Sequence, residues 1–242
     1  MKSFHFELCA TSLEAALAAE SAGADRVELC SELEIGGLTP SPELIAVTAE
    51  TISIPVHVLI RPRGGDFVFT KREFGQMQMQ IEKAREAGAR GVVLGILLPD
   101  GRVDVERTRA LVELARPMEV TFNRAFDLTP DLSEALEAVI QTGVECLLTS
   151  GGAADVLTGA ESIARLSQQA NTRIQIIAGG GLQLADIAEV LRRTGGLSLH
   201  GSLIRKSDGQ MQGFDPVVLE ADVRETVRIM HIEAGVPLKS RR

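Results

Sequence analysis

A short pattern recurs four times along the chain and limits the folds that it can adopt. It reads AGADRVEL at 22–29, AGARGVVL at 87–94, TGVECLL at 142–148 and TGGLSLH at 194–200. In each copy a helical segment ends at a glycine and a strand follows, as expected where glycine closes a helix in the left-handed conformation. The copies lie roughly 50 to 65 residues apart, which is the length of two strand–helix units. Four double units make eight strands.

Further strands fit the intervals between the copies and complete an alternating pattern. We predict strands at about 3–9, 25–30, 55–61, 91–95, 117–123, 144–149, 173–178 and 196–201. Eight strand–helix pairs predict an α/β fold, a single (β/α)8 TIM barrel at 1–235, followed by a basic tail at 236–242. The alternative is an open doubly wound sheet, whose dinucleotide fingerprint requires a glycine-rich turn after the first strand. That turn is CATSLE at 9–14, so the fingerprint is absent.

Composition excludes several classes of partner. The net charge is −8 and the chain has neither Trp nor Tyr, which argues against binding to nucleic acid or to a membrane surface. No segment is long and apolar enough to cross a bilayer, and the N-terminal residues alternate like a strand rather than a signal peptide. Three cysteines without regular spacing fit a reducing compartment. We therefore expect a cytoplasmic protein and, by default for a homo-oligomer, a dimer.

Polar residues alternate with apolar ones along the predicted strands. In a barrel one face of each strand points at the helices and the other into the lumen. The lumen positions are unusually polar for a packed core: His5, Glu7, Cys9, Glu28, Cys30, His57, Arg61, Thr121, Asn123, Gln175, Ser198 and His200. We expect Glu7, Glu28 and Arg61, on neighbouring strands, to pair inside, as a structural network or as part of a site. Cys146 alternates with Glu145 and Leu147, and we predict that it faces a helix.

The stretch PVHVLIRPRGGDF at 55–67 joins an apolar strand to a loop with charged residues and two glycines. Gly64 and Gly65 let the loop bend so that Arg63, Asp66 and backbone N–H groups surround a small charged ligand. The alternative is a solvated loop with a structural glycine pair.

Six motifs together resemble one known family. They are ADRVELC at 24–30, GGLTPS at 36–41, HVLIRPRGGDF at 57–67, TFNRAFD at 121–127, LLTSGG at 147–152 and AGGG at 178–181. The chain is similar to the CutC family of copper homeostasis proteins, which are eight-stranded barrels. The resemblance implies this fold and a role in copper homeostasis. In one departure, Asn123 stands where the family usually has His, and an amide cannot titrate.

A copper site needs soft thiolate ligands, with imidazole in support. Cys9 and Cys30 end neighbouring strands on the same inferred face, and His200 flanks the first strand. We predict Cys9 and Cys30 as Cu(I) ligands, with no organic cofactor. The alternative is that both are inert buried thiols, as free cysteines commonly are.

A second hypothesis is a barrel enzyme for a small anionic, phosphorylated metabolite. Glycine-containing turns follow the sixth, seventh and eighth strands at 149–152, 179–181 and 201–202, and barrels often bind phosphate after strands seven and eight. The alternative is that these are only tight strand–helix turns. Arg61, Arg63 and Arg124 would clamp the anion, Glu7 or Glu28 would act as general base, and Asp127 would orient Arg124 or cap the next helix.

A third hypothesis is a binding protein without chemistry, consistent with Asn123. The candidate residues for chemistry are Glu7, Glu28, Arg61, Arg124 and Asp127, and those for binding are Arg63, Gly64, Gly65, Asn123, Ser150, Gly151, Gly179, Gly180 and His200.

Overall fold

The computed structural model describes residues 5–203, 206–207, 210–211 and 215–235. Its centre is a closed barrel of eight parallel strands. The strands are β1 (Phe6–Ala10), β2 (Arg26–Leu29), β3 (Val56–Leu59), β4 (Gly91–Leu94), β5 (Glu119–Phe122), β6 (Cys146–Thr149), β7 (Gln175–Gly179) and β8 (Ser198–Gly201). The barrel closes because β1 pairs with both β2 and β8, which places Glu7 opposite Arg26 on one side and His200 on the other. The predicted (β/α)8 barrel is confirmed.

A helix follows each of the eight barrel strands and packs outside the barrel. The helices are α1 (Leu13–Ala22), α2 (Pro42–Thr51), α3 (Lys71–Glu86), α4 (Val105–Ala115), α5 (Leu132–Thr142), α6 (Ala160–Ala170), α7 (Ile187–Thr194) and α8 (Pro216–Glu233). Short 3-10 helices lie at Leu33–Ile35, Arg124–Leu128 and Leu184–Asp186, and strands β9 (Lys206–Ser207) and β10 (Gln210–Met211) form a small antiparallel pair.

The repeated glycines end the helices as predicted. Gly23, Gly143 and Gly195 are the C-caps of α1, α5 and α7, with φ values of 94°, 85° and 78°. Gly88 follows the C-cap of α3 with a φ of 91°. Each glycine adopts the left-handed backbone and releases the chain toward the next strand.

The main hydrophobic core lies between the barrel and its helices. Phe6, Leu8, Val27, Leu29 and Val58 are fully buried there, as strand alternation predicts. Because the apolar side chains of these strands point outward to the helices, their polar neighbours point into the lumen.

Two further predictions were a basic C-terminal tail and the absence of a segment that crosses a membrane. The basic tail predicted at 236–242 lies outside the described residues. In the described ranges, no helix has the length and hydropathy needed to span a bilayer.

Candidate functional site

Glu7 lies at the centre of a charged cluster in the barrel lumen. Its side chain is almost fully buried; Arg26 Nε donates to Oε2, and His200 Nδ1 lies 2.7 Å from Oε1. Arg26 also donates to Glu119 Oε1 over 3.0 Å. We call Glu7, Arg26, Glu28, Glu119 and His200 the lumen cluster.

Within the lumen cluster the pKa of Glu7 is lowered and the pKa of Glu28 is raised. Burial alone would raise the pKa of Glu7, but Arg26 and His200 hold it well below its ordinary value. Burial would lower the pKa of His200, but Glu28 and Glu7 raise it. Burial raises the pKa of Glu28 to about 7, and the neighbouring Glu7 adds to this while His200 opposes it. The two carboxyl groups therefore have different proton affinities within one site.

Arg61 does not pair with Glu7 and Glu28, which corrects our expectation. It lies beyond the end of β3, and its guanidinium donates to the carbonyl oxygens of Ile35, Gly37 and Gly65 at 3.2, 3.1 and 2.7 Å. The guanidinium also lies 4.7 Å from the ring centroid of Phe67. The buried cation therefore fastens the loops after β2 and β3 together, and Arg26 takes the place beside Glu7.

Replacing Arg61 with methionine is expected to loosen these two loops. The variant leaves three carbonyl groups without their charged donor, so we expect a loss of about 2–4 kcal/mol in the free energy of unfolding. Amide hydrogen exchange at 35–38 and 64–66 should quicken. Arg102→Met, at a side chain that is 68% exposed, is the matched control and should change stability by under about 0.5 kcal/mol. Unchanged exchange in both loops would contradict the role given to Arg61.

Arg63 is held by residues of its own loop and of α3. It donates to Glu73 Oε1 over 2.6 Å and to Asp66 Oδ1 over 2.8 Å, and it lies over the ring of Phe69. Gly65 has a φ of 86°, which allows the turn between the two arginines. The glycine pair thus shapes the loop, and the structure gives Arg61 and Arg63 partners within the protein.

The glycine-rich loop after β6 receives an internal carboxylate. The backbone N–H groups of Ser150 and Gly152 donate to Asp127 at 3.0 to 3.1 Å, and the hydroxyl groups of Thr149 and Ser150 also donate to it. Gly151 N donates to Thr149 Oγ1. The N–H groups that predicted a phosphate position therefore hold Asp127.

Asp127 also orients Arg124, which was one of its two predicted roles. Arg124 Nε lies 2.9 Å from Asp127 Oδ2, and Nη2 lies 2.9 Å from Ser150 Oγ. The other role is wrong, because the side chain of Asp131 caps α5. The guanidinium packs against Gly180, where an added Cβ would lie 2.7 Å from Arg124 Cζ. The Arg124 side chain is 40% exposed, so it presents a charge at the barrel mouth.

Asn123 has a local structural role at the end of β5. Its Oδ1 accepts a hydrogen bond from Ala125 N over 2.9 Å and caps the following 3-10 helix. A Cβ at Gly95 would lie 2.3 Å from this oxygen, so a glycine is required beside it. Gly179 is the last residue of β7, in register with His200.

The structure brings Cys9 and Cys30 together, as their positions at neighbouring strand ends predict. Their Sγ atoms lie 3.5 Å apart, and both residues are buried, with Leu59 and Val93 packed around them. The hydrogen bond with Cys30 and burial raise the pKa of the Cys9 thiol. Ligand atoms of Cys9, Glu28 and His200 all lie within 4.8 Å of one another. Glu28 Oε2 is buried and has no hydrogen-bond partner.

Cys146 faces the lumen, contrary to our prediction. Its Sγ donates to Glu119 Oε1 over 2.9 Å, whereas Leu147 joins the core under the helices. Alternation with Glu145 and Leu147 did not distinguish the faces of β6. His57 is also in the lumen, where its imidazole packs on Gly91, and a Cβ on this glycine would lie 2.5 Å from the ring.

Comparisons with known proteins identify what the chain is similar to. The model of the CutC family matches residues 4–205. A family protein CutC from Chromobacterium violaceum is 46% identical over 81% of this chain and 79% of its own length. The human copper homeostasis protein cutC homolog is 42% identical over 86% of this chain and 77% of its own. A crystal structure of CutC from Streptococcus agalactiae superposes with a TM-score of 0.78 at 31% identity, covering 83% of this chain and 99% of that one.

Proposed function

The chain belongs to the CutC family, and from this premise we propose that it serves copper homeostasis by binding Cu(I) between Cys9 and Cys30. The observation that carries the proposal is the contact of the two sulfur atoms at 3.5 Å at the ends of β1 and β2. Thiolates are the ligands that Cu(I) prefers, and the pair is buried with Leu59 and Val93 packed against it.

The strand register supports a metal site over a disulfide. Cys9 lies opposite Glu28 in the β1–β2 ladder, so Cys30 is two residues further along. The spacing and rise of parallel strands place the two Cα atoms roughly 8 Å apart. Disulfides join Cα atoms that are closer than roughly 7 Å. The pair therefore remains a dithiol that a metal ion can bridge.

Binding of a metal ion to this pair must displace protons. Thiols bind metal as thiolates, and the pKa of Cys9 is raised by its hydrogen bond to Cys30 and by burial. Metal affinity should therefore fall as the pH is lowered.

The test is an anaerobic competition titration of the reduced protein with Cu(I) against a chromophoric Cu(I) chelator. We expect one tight ion per chain, and in Cys9→Ser and Cys30→Ser a loss of affinity beyond the roughly 10–100-fold that the loss of an outer-shell partner costs. Cys146→Ser is the matched control, because this thiol is also buried in the lumen but contacts Glu119. Affinity that survives both substitutions, or falls equally in the control, would refute the proposal.

A second candidate function, binding of a small anionic metabolite, rests on Arg124. The Arg124 side chain is 40% exposed at the barrel mouth, with Nε and Nη2 donating to Asp127 and Ser150. Arg61, in contrast, is buried, and its guanidinium donates to loop carbonyl groups. If this function is correct, inorganic phosphate should raise the melting temperature of the wild type, and Arg124→Gln should abolish the effect.

A further inference from the structure

We propose that the loop at 31–38 is a lid over the Cys9–Cys30 pair and that Arg61 is the positioning residue that holds it closed. The loop begins directly after Cys30, which follows the last residue of β2. If the pair binds Cu(I) as proposed above, on which this role rests, the lid controls how fast the ion enters and leaves. The reactivity of the thiols reports the lid by itself, because it is measured without a metal.

The lid is closed at its base by two backbone hydrogen bonds. Ser31 N donates to Leu38 O over 3.0 Å, and Leu38 N donates to Ser31 O over 2.8 Å. Gly36 and Gly37 have φ values of 89° and 84°, a backbone that residues with side chains rarely adopt. A compact loop whose ends lie side by side can swing away from the barrel while the strands stay paired.

Residues of the lid cover the sulfur atoms. Leu33 packs against the buried cluster that contains both cysteines. The backbone of Gly37 passes so close that an added Cβ would lie 3.7 Å from Cys30 Sγ and 2.7 Å from Leu59 Cδ2. Cys30 is fully buried, and Cys9 is only 8% exposed. We therefore expect a reagent or an ion to reach Cys30 when the lid moves.

The guanidinium of Arg61 joins the lid to the loop after β3. Its Nη1 donates to Ile35 O and Gly37 O over 3.2 and 3.1 Å, and its Nη2 donates to Gly65 O over 2.7 Å. Hydrogen bonds from a charged donor are stronger than those between neutral groups. The main chain of Arg61 makes separate bonds beside the base of the lid, since its N donates to Thr39 Oγ1 and its O accepts from Thr39 N. Substituting the side chain therefore releases the lid and keeps these bonds.

The lid acts on access to the pair rather than on its ligands. Leu33 and Gly37, which the lid places against the cysteines, are not ligands for Cu(I), which prefers thiolates. A closure that makes no bond to the ion slows entry and exit alike, because affinity changes only when an interaction differs between the bound and free states. We therefore expect Arg61 to set the rate of Cu(I) exchange and to leave the affinity almost unchanged.

The experiment labels the three buried thiols of the reduced, metal-free full-length protein with N-ethylmaleimide and follows each one by mass spectrometry. Cys9 and Cys30 lie at the ends of their strands, whereas Cys146 begins β6 at the opposite end of the barrel. In Arg61→Met, labelling of Cys30 should quicken by at least about tenfold, because charged hydrogen bonds no longer hold the lid. Arg61→Lys keeps a cation beside the carbonyl groups and should label at an intermediate rate.

Asp127→Ala is the matched control for a general loss of stability. Its carboxylate is bound by the loop after β6, which is opposite β2 in the ring of strands. This variant should quicken labelling of Cys146, which requires the barrel to open, and leave that of Cys30 unchanged. Labelling of Cys30 that merely follows Cys146 in both variants would overturn the lid, and an unchanged rate at Cys30 in Arg61→Met would overturn the role of Arg61.

The wild type provides a second test that needs no variant to fold. Opening of a loop exposes less surface than unfolding of the barrel, so labelling of Cys30 should depend less steeply on urea than labelling of Cys146. Equal slopes would show that Cys30 is reached by unfolding of the whole barrel, and the lid would be refuted.

Release of Cu(I) connects the lid to the proposed function. Transfer of the ion from the loaded protein to a chelator should be faster in Arg61→Met by about the same factor as thiol labelling, at unchanged equilibrium affinity. Affinity that falls as much as the release rate rises would show that Arg61 supports the site itself and would contradict its action through the lid. A wild type that binds no Cu(I) would refute the proposed function, and the labelling rates would still decide whether the lid exists.

Discussion

Replacing Arg26 with methionine is expected to lower the free energy of unfolding by about 3–5 kcal/mol. Glu7 is 1% exposed, and Arg26 is the permanent cation beside it. The variant leaves an ionised carboxylate in the barrel lumen without its permanent cation, although His200 still contacts it, and it also removes a donor from Glu119. Urea unfolding at neutral pH measures the loss.

The same variant should unfold at a higher pH in an acid titration. Burial opposes ionisation of Glu7, but Arg26 and His200 lower its folded-state pKa below its unfolded value of about 4.3. The ionised form therefore contributes stability above the unfolded pKa, and this contribution disappears as the pH falls through the folded pKa. Without Arg26 the folded pKa rises, so that contribution shrinks and its loss begins at a higher pH.

Two controls test whether the effect belongs to the buried pair. Arg173→Met breaks an exposed ion pair with Glu137 and should lower the free energy of unfolding far less than Arg26→Met does. Adding Glu7→Gln to Arg26→Met removes the uncompensated charge and should recover part of the lost stability. Equal losses of stability in the two arginine variants, or no recovery in the double variant, would show that the buried Glu7–Arg26 pair stabilises the protein no more than an exposed ion pair does.

The barrel was predictable because each of its signals is local. Helix-ending glycines and alternating strands depend on residues within a few positions of each other, and Gly23, Gly143 and Gly195 adopt the expected left-handed backbone. Alternation also placed Glu7 and Cys9 in the lumen, because a strand's two faces follow directly from its sequence.

The partners inside the lumen were not predictable in the same way. Arg26 is the first residue of β2, a position at which a charged side chain is usually exposed to solvent. Its contact with Glu7 depends on the pairing of β1 with β2. Arg61 lies two residues beyond β3 and therefore turns to the loop carbonyls. Partners of this kind are set by strand register and by where each strand ends, which the pattern of a single strand does not contain.

The loop after β6 shows why the anion prediction was incomplete. Glycines and exposed N–H groups at 149–152 indicate that an anion is held there. They do not say whether the anion is a ligand or a side chain from elsewhere in the protein. The structure supplies Asp127, more than twenty residues earlier in the chain, as the occupant.

Replacing Asp127 with alanine should therefore destabilise the protein strongly and open an anion site at the same time. The side chain is 5% exposed and accepts hydrogen bonds from Thr149, Ser150, Gly152 and Arg124. Losing this acceptor is expected to lower the free energy of unfolding by about 3–5 kcal/mol, because several donors lose a charged partner together. Asp100→Ala, whose carboxylate is half exposed and pairs with Arg102, is the control and should leave the free energy of unfolding almost unchanged.

Inorganic phosphate then distinguishes the two interpretations of this loop. If Asp127 is the internal occupant of the N–H groups, phosphate should raise the melting temperature of Asp127→Ala and leave that of the wild type unchanged. Stabilisation of the wild type that depends on Arg124 would instead favour the anionic-metabolite function. Phosphate without effect on either protein would mean that the loop requires a carboxylate on its own chain. In that case the glycines after β6 serve the packing of Asp127 against Arg124 and nothing else.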